Sequence, residues 1–284
     1  MPDPQLTAKL HAPWLGLVIG NTRLHWGWFY QQRLQHVWHT AHMTSAQATR
    51  LIEQHFALSA WRSLTHEPVA VNEIPALLEA IAADAAPLPL YCASVVPAQT
   101  ALWQAYSGFR AVTLDKLPLA NLYATLGVDR ALNLLGASDR YGWPVLVIDA
   151  GTALTFTAGD AGKLLGGAIL PGLSTQFLTL VDNTASLPAA TLTQALPPRW
   201  AMNTADALRS GIVYGTLATI TEYVQVWRLE YATGKIVLTG GDGAQLYQWC
   251  HQRQLLTDMT LAPELTFFGL NCLYQHRQTT DCSS

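Results

Sequence analysis

Two short turns of small polar residues follow apolar runs that are typical of buried strands. The first turn, "GNT" (Gly20–Thr22), follows "LGLVI", and the second, "GTA" (Gly151–Ala153), follows "VLVIDA". Small side chains leave the backbone N–H groups of such turns open to a phosphate, so the two turns could hold the two ends of a triphosphate. The alternative is that each is a tight hairpin turn with its glycine at positive φ.

Asp149 is the carboxylate nearest to the second turn, and it lies at the end of the apolar run. Oxygen ligands suit hard cations, so a carboxylate that emerges from a buried strand is a candidate for cation binding. The alternative is a structural aspartate that caps the following turn. In the first run the corresponding position holds the apolar Val18, which has no oxygen to offer a cation.

The tetrapeptide "GVDR" (Gly127–Arg130) carries two further groups that could act on a small molecule. Asp129 could accept the proton of a hydroxyl group, and Arg130 could bind a carboxylate. Asp129 could equally be a helix N-cap, with Arg130 a solvated side chain. The same dipeptide recurs as Asp139-Arg140, so "DR" alone identifies no site.

The two turns lie in segments that look alike, which indicates an internal duplication. The segments are Leu17–Phe29 and Leu146–Ala158, about half a chain apart. Each half later shows a strand, a turn and a helix, at Pro89–Tyr106 and at Lys235–Cys250. This order predicts an α/β fold with two related domains, 14–122 and 123–276.

Two helices are predicted in the second half of the chain. One covers Gly127–Gly142, and the other covers Asn203–Tyr231 with Asn203 or Thr204 as its cap. Gly211 and Gly215 lie on one face of the longer helix. Glycines weaken a helix, so this face predicts close packing, either at a subunit interface or within the domain.

Composition narrows the class of protein. Half of the 284 residues are apolar and 12% are charged, which excludes a disordered chain. The formal net charge is −3 without a basic cluster, so neither nucleic acid nor an anionic membrane is expected as a partner. Four scattered cysteines and the lack of a long apolar run indicate a cytoplasmic protein with reduced thiols.

Read in order, the motifs of this chain resemble those of type III pantothenate kinase, a family of the actin/sugar-kinase/Hsp70-like superfamily. Single motifs are weak, but their order along nearly the whole chain is specific. They are "GNT" (Gly20–Thr22), "SVVP" (Ser94–Pro97), "GVDR" (Gly127–Arg130), "DAGTALTF" (Asp149–Phe156), "GGAILPGL" (Gly166–Leu173), "TASLP" (Thr184–Pro188), "NTADALRSG" (Asn203–Gly211), "TGG" (Thr239–Gly241) and "APELTFFGL" (Ala262–Leu270).

The resemblance implies two ribonuclease-H-like (actin-like ATPase) domains with an ATP cleft between them, in a homodimer. The implied reaction moves the γ-phosphoryl group of ATP to the primary hydroxyl of pantothenate, the first step of coenzyme A synthesis. It implies ATP with Mg²⁺ as phosphoryl donor and a monovalent cation, K⁺ or NH₄⁺, as activator.

The resemblance also implies a role for individual residues. Asp129 matches the general base, and Asp149 matches the ligand of the monovalent cation. The pantothenate contacts are Gly127, Val128, Asp129, Arg130 and Thr204. The ATP contacts are Val18, Ile19, Gly20, Asn21, Thr22, Arg23, Leu24, His25 and Thr152.

The chain departs from the family pattern at three positions. The first motif of the family usually reads Asp-x-Gly-Asn-Thr, and Val18 replaces that aspartate. Ala120 and Tyr123 stand where the family tends to have Tyr and Pro, so the pantothenate pocket could be lined differently. These changes leave two alternatives open: a kinase for another small hydroxy acid, or a non-catalytic homologue that binds nucleotide and regulates.

Overall fold

The chain forms two compact units. The computed structural model describes residues 12–64, 87–183 and 192–280, so the "TASLP" motif lies outside the described residues. The first unit contains Met1–Pro118, Tyr123–Gly136 and Thr266–Ser284, and the second contains Leu119–Leu122 and Ala137–Leu265. These units are discontinuous, whereas the segments 14–122 and 123–276 are continuous, because two later stretches of chain group with the first unit.

The first unit contains a five-stranded mixed sheet. Its strand order is β3-β2-β1-β4-β5, with β1–β2 and β2–β3 antiparallel and β1–β4 and β4–β5 parallel. The strands are β1 (Trp14–Ile19), β2 (Leu24–Tyr30), β3 (Arg33–Thr40), β4 (Leu90–Ser94) and β5 (Phe109–Ala111).

The second unit repeats this sheet. Its order is β10-β9-β6-β7-β8, with β6–β7 and β7–β8 antiparallel and β6–β9 and β9–β10 parallel. The strands are β6 (Val145–Ala150), β7 (Ala153–Asp160), β8 (Lys163–Pro171), β9 (Lys235–Thr239) and β10 (Thr260–Leu261). The two sheets share strand order and strand directions, which confirms the duplication and the α/β class.

Both long predicted helices are present. The helices are α1 (Ser45–Glu53), α2 (Leu58–Leu64), α3 (Pro97–Ala101), α4 (Val128–Tyr141), α5 (Leu173–Asp182), α6 (Thr204–Glu230), α7 (Gly243–Gln252) and α8 (Leu265–Thr280). Asn203 caps α6, since its side chain accepts a hydrogen bond from the backbone N–H of Asp206 at 2.9 Å. In the described residues no helix is long and apolar enough to cross a membrane.

Tryptophans fill the core of the first unit. Trp26 and Trp38 are register partners on β2 and β3 and are fully buried. The ring of Trp26 lies 4.9 Å from that of Trp61 and 5.2 Å from that of Trp103. The three tryptophans of the β2–β3 hairpin, Trp26, Trp28 and Trp38, therefore belong to the core of the first unit.

Helix α8 packs against the first sheet and against α4. Tyr274 stacks on Trp14 of β1 with ring centroids 4.7 Å apart. A Cβ atom added to Gly269 would lie 1.9 Å from the carbonyl oxygen of Leu132 in α4. Glycine at residue 269 is therefore required for the close approach of these two helices.

We expect Gly269→Ala to lower the free energy of unfolding by about 2 kcal/mol, because the new methyl group meets backbone that must move. Urea denaturation measures the change. Gly241→Ala is the control, since a Cβ atom there meets no atom within 4 Å. Equal stability of the two variants would contradict the packing described for Gly269.

Candidate active site

The turn between β1 and β2 (residues 20–23) is the first predicted phosphate site. Its polar residues Asn21 and Thr22 are exposed. The backbone N–H of Gly20 donates to the carbonyl oxygen of Arg23 at 3.1 Å, and Nε2 of His42 donates to the carbonyl oxygen of Gly20 at 2.8 Å. Gly20 does not have positive φ, so the expected hairpin glycine in the left-handed region is not found at this turn.

Val18 and His25 flank this turn. They are register partners on β1 and β2, and Val18 is 7% exposed. Nδ1 of His25 lies 2.8 Å from Nδ1 of His39. Burial, and to a lesser degree the nearby His39 and Arg23, lower the pKa of His25 to about 4, so its ring is neutral at pH 7.

The turn between β6 and β7 is the second predicted phosphate site, and it is held by the start of α5. The backbone N–H of Gly172 and Oγ1 of Thr175 both donate to the carbonyl oxygen of Thr152, at 3.0 and 2.6 Å. A Cβ atom added to Gly172 would lie 2.0 Å from the carbonyl oxygen of Gly151. The Pro-Gly pair before α5 therefore supports the turn through backbone contact.

Asp149 lies at the end of β6 beside Thr239 of β9 and is half-buried. Gly240 follows β9 with φ of +90°, and a Cβ atom there would lie 2.5 Å from Oδ1 of Asp149. The "TGG" motif thus leaves space for the carboxylate. A partly exposed carboxylate with backbone carbonyl groups nearby fits the oxygen ligands that a monovalent cation needs.

Asp129 lies in the first turn of α4, which begins at Val128, so it is not the N-cap. Its Oδ1 accepts a hydrogen bond from the backbone N–H of Arg130 at 2.8 Å. Burial raises the pKa of Asp129, and the hydrogen bond from Arg130 opposes part of that rise. A Cβ atom on Gly127 would lie 2.4 Å from Oδ1 of Asp129, so a larger residue at position 127 would displace this carboxylate.

Arg130 is not the solvated side chain that the sequence allows, since only 6% of it is exposed. Its Nη1 donates to the hydroxyl of Tyr123 at 3.1 Å. Tyr123 is 45% exposed and is one of the three departures from the family pattern. The changed residue therefore has a partner, and it holds the arginine that the sequence predicts as a carboxylate ligand.

Thr204 is the first residue of α6 and lines a cavity of about 440 Å³ in the second unit. Gln176 and Leu180 of α5 and Gly211 of α6 also line this cavity.

The structure brings several predicted residues together within each unit. In the first, Val18 and His25 flank the turn of residues 20–23; in the second, Asp149 precedes the turn that contains Thr152. Sequence reasoning gave no role to Gly172, Gly240 or His42. A Pro-Gly and a Gly-Gly pair next to predicted strands are the signals that could have indicated the two glycines.

The model of the type III pantothenate kinase family matches residues 14–226. A type III pantothenate kinase from Nostoc sp. is 39% identical over 278 residues, which cover 96% of this chain and 98% of that protein. The chain belongs to the type III pantothenate kinase family. Another member, from Synechocystis sp., is 38% identical and covers 92% of this chain and 90% of its own length.

Solved structures support the fold. A structure described as a conserved putative Baf family transcriptional activator from Campylobacter jejuni gives a TM-score of 0.58 at 18% identity, covering 93% of this chain and 99% of that chain. The structure of a putative 2-dehydro-3-deoxygalactonokinase from Sinorhizobium meliloti gives a TM-score of 0.52 at 14% identity, covering 93% of this chain and 96% of that chain. The two-domain, actin-like α/β fold of the pantothenate kinase family is therefore confirmed.

Proposed function

We propose that Asp129 is the general base with which the chain phosphorylates pantothenate. Membership of the type III pantothenate kinase family gives the activity, ATP-dependent phosphorylation of pantothenate in coenzyme A biosynthesis. The observation that carries the role of Asp129 is its carboxylate, half-buried in the first turn of α4 beside the small Gly127. Burial raises the pKa of this group and so makes it a stronger base.

In the proposed reaction, Asp129 takes the proton of the primary hydroxyl of pantothenate as the oxygen attacks the γ-phosphorus of ATP. The bond between that phosphorus and the β–γ bridging oxygen breaks, and ADP leaves. Positioning and charge neutralisation contribute most to such transfers. We assign the pantothenate carboxylate to Arg130, which Tyr123 orients, with Gly127 and Val128 alongside and Thr204 as a further contact.

We assign the phosphates of ATP to the turn of residues 20–23, with its flanking strand residues, and to the turn that contains Thr152. The small polar residues of the two turns, exposed at Asn21, Thr22 and Thr152, support this assignment. The Mg²⁺ that accompanies ATP would neutralise charge on the phosphates. Val18 has no oxygen with which to ligate that ion, so position 18 does not supply the carboxylate that the family usually has there.

We expect Asp129→Asn to lower kcat at least about 100-fold, because the amide cannot accept the hydroxyl proton. The wild-type kcat/KM should fall as the pH drops through the raised pKa of Asp129, above the ordinary value of 3.8. A coupled ADP-release assay over a range of pH measures both. Asp139→Asn is the control, since this exposed aspartate precedes an arginine in the same helix; equal activity of the two variants would contradict the assignment.

We further propose that Asp149 binds an activating monovalent cation. We expect K⁺ or NH₄⁺ to stimulate the wild-type rate over Na⁺ and Asp149→Asn to lose that stimulation, because it removes the charged ligand. Initial rates at constant ionic strength test this. Asp182→Asn, which changes an exposed carboxylate of the same unit, should respond like the wild type. Full stimulation of Asp149→Asn would place the cation elsewhere.

We also propose a homodimer, with the glycine face of α6 at its interface. Among the described residues no atom lies within 4 Å of a Cβ atom added to Gly211 or Gly215, so none of them fills the space at these glycines. Leu178 of α5, in the same unit, is 62% exposed. Of the two explanations for these glycines, this geometry favours the subunit interface.

Sedimentation velocity should give about twice the chain mass of 31.0 kDa for the wild type. Gly215→Leu should shift the protein toward monomer, because the larger side chain occupies space reserved for the partner. Gln225→Leu is the matched control, since this residue is exposed on the same helix. A monomeric wild type, or a dimeric Gly215→Leu, would contradict this interface.

A cytoplasmic location is the last part of the proposal. Cys92 and Cys250 are buried and unpaired. Thiols of this kind are typical of proteins in a reducing compartment. They support the location that the scattered cysteines of the sequence predict.

A further inference from the structure

A pair of histidines lines up with the residue that replaces the missing carboxylate of the first unit. Val18, His25 and His39 are register partners across β1, β2 and β3. Directly opposed residues of antiparallel strands project from the same face of a sheet. Both imidazole rings therefore extend from the face on which an aspartate at position 18 would lie.

The two rings share a hydrogen bond through their Nδ1 atoms, which are 2.8 Å apart. The lowered pKa of His25 leaves its ring neutral at pH 7, so one ring must donate and the other accept. If His39 donates, the proton of His25 is on Nε2. The Nε2–H group of His25 is then available to a ligand.

Nε2 of His25 is directed toward the turn of residues 20–23. It lies 3.8 Å from the position of a Cβ atom added to Gly20. The carbonyl oxygen of Gly20 already accepts a hydrogen bond from His42, so that oxygen has a donor without His25. The carbonyl oxygen of Arg23 lies 3.6 Å from the same position and can only accept, so Nε2 of His25 is the side-chain group there that could donate to a phosphate at this turn.

The replacement changes the electrostatics of the turn. A carboxylate at residue 18 would repel a phosphate and would need a metal ion between the two groups. A neutral imidazole N–H can donate to the phosphate directly.

We propose that His39 holds His25 in its Nε2–H tautomer and that His25 donates this hydrogen to a phosphate of the nucleotide bound at the turn of residues 20–23. The inference rests on the proposed function, in which this turn binds ATP. The ligand class is a nucleoside diphosphate or triphosphate. His25 is then a direct phosphate contact, and His39 is a positioning residue.

Isothermal titration without pantothenate tests the contact, because nucleotide binding is then measured apart from the acceptor. We expect His25→Leu to weaken ATP and ADP binding about tenfold, the loss of one hydrogen bond to a charged group. Adenosine binding should change less than about twofold, since adenosine has no phosphate. His36→Leu, on the same hairpin, is the control and should bind ATP and ADP like the wild type.

Wild-type affinity for ADP in His25→Leu would overturn the inference and leave the proposed function standing. An equal loss of ADP and adenosine binding would also overturn it, because the loss would not depend on phosphate. A wild-type protein that binds no ATP would overturn both the inference and the proposed function.

Histidine NMR of the wild-type protein tests the tautomer without any substitution. Long-range ¹H–¹⁵N spectra should show His25 protonated at Nε2 and His39 protonated at Nδ1. Addition of ADP should shift the Nε2 resonance of His25, because the hydrogen bond forms at that atom. Protonation of His25 at Nδ1, or an Nε2 resonance that ADP leaves unchanged, would overturn the proposal.

Discussion

In each unit the first strand of a hairpin pairs with a parallel strand, β1 with β4 and β6 with β9. This pairing determines which residues lie side by side where the two strands end. Ile19 of β1 pairs with Ser94 of β4, and Asp149 of β6 pairs with Thr239 of β9. The turn after the hairpin strand and the segment after its parallel neighbour therefore leave the sheet side by side. In the second unit this is why Gly240 meets the carboxylate of Asp149.

The two halves use this shared arrangement differently. In the second unit the strand ends in a carboxylate, and glycines on neighbouring segments give it room. In the first unit the strand ends in apolar residues, and polar groups reach the turn from β2 and from His42 instead. Duplication thus supplied one backbone geometry twice, and the side chains around each turn diverged.

The sequence predicts the features that depend on local patterns. The two hairpins and the helices over Gly127–Gly142 and Asn203–Tyr231 follow from alternation, caps and turn residues, and the motif order predicts the family. The hydrogen bond from Arg130 to Tyr123 depends on how the chain turns before α4. The contact of Gly172 with Gly151 joins residues that are distant in the sequence. No local pattern specifies such contacts, so they required the structure.

The position of α8 near the end of the sequence determines when the first unit can finish folding during synthesis. The ribosome produces β1–β5 early, but Gly269 and Tyr274, which pack against α4 and Trp14, are produced after the whole second unit. Domains generally fold as units while the chain emerges. The unit that begins first is therefore completed last, and until α8 emerges Trp14 lacks the ring of Tyr274 that stacks on it in the folded protein.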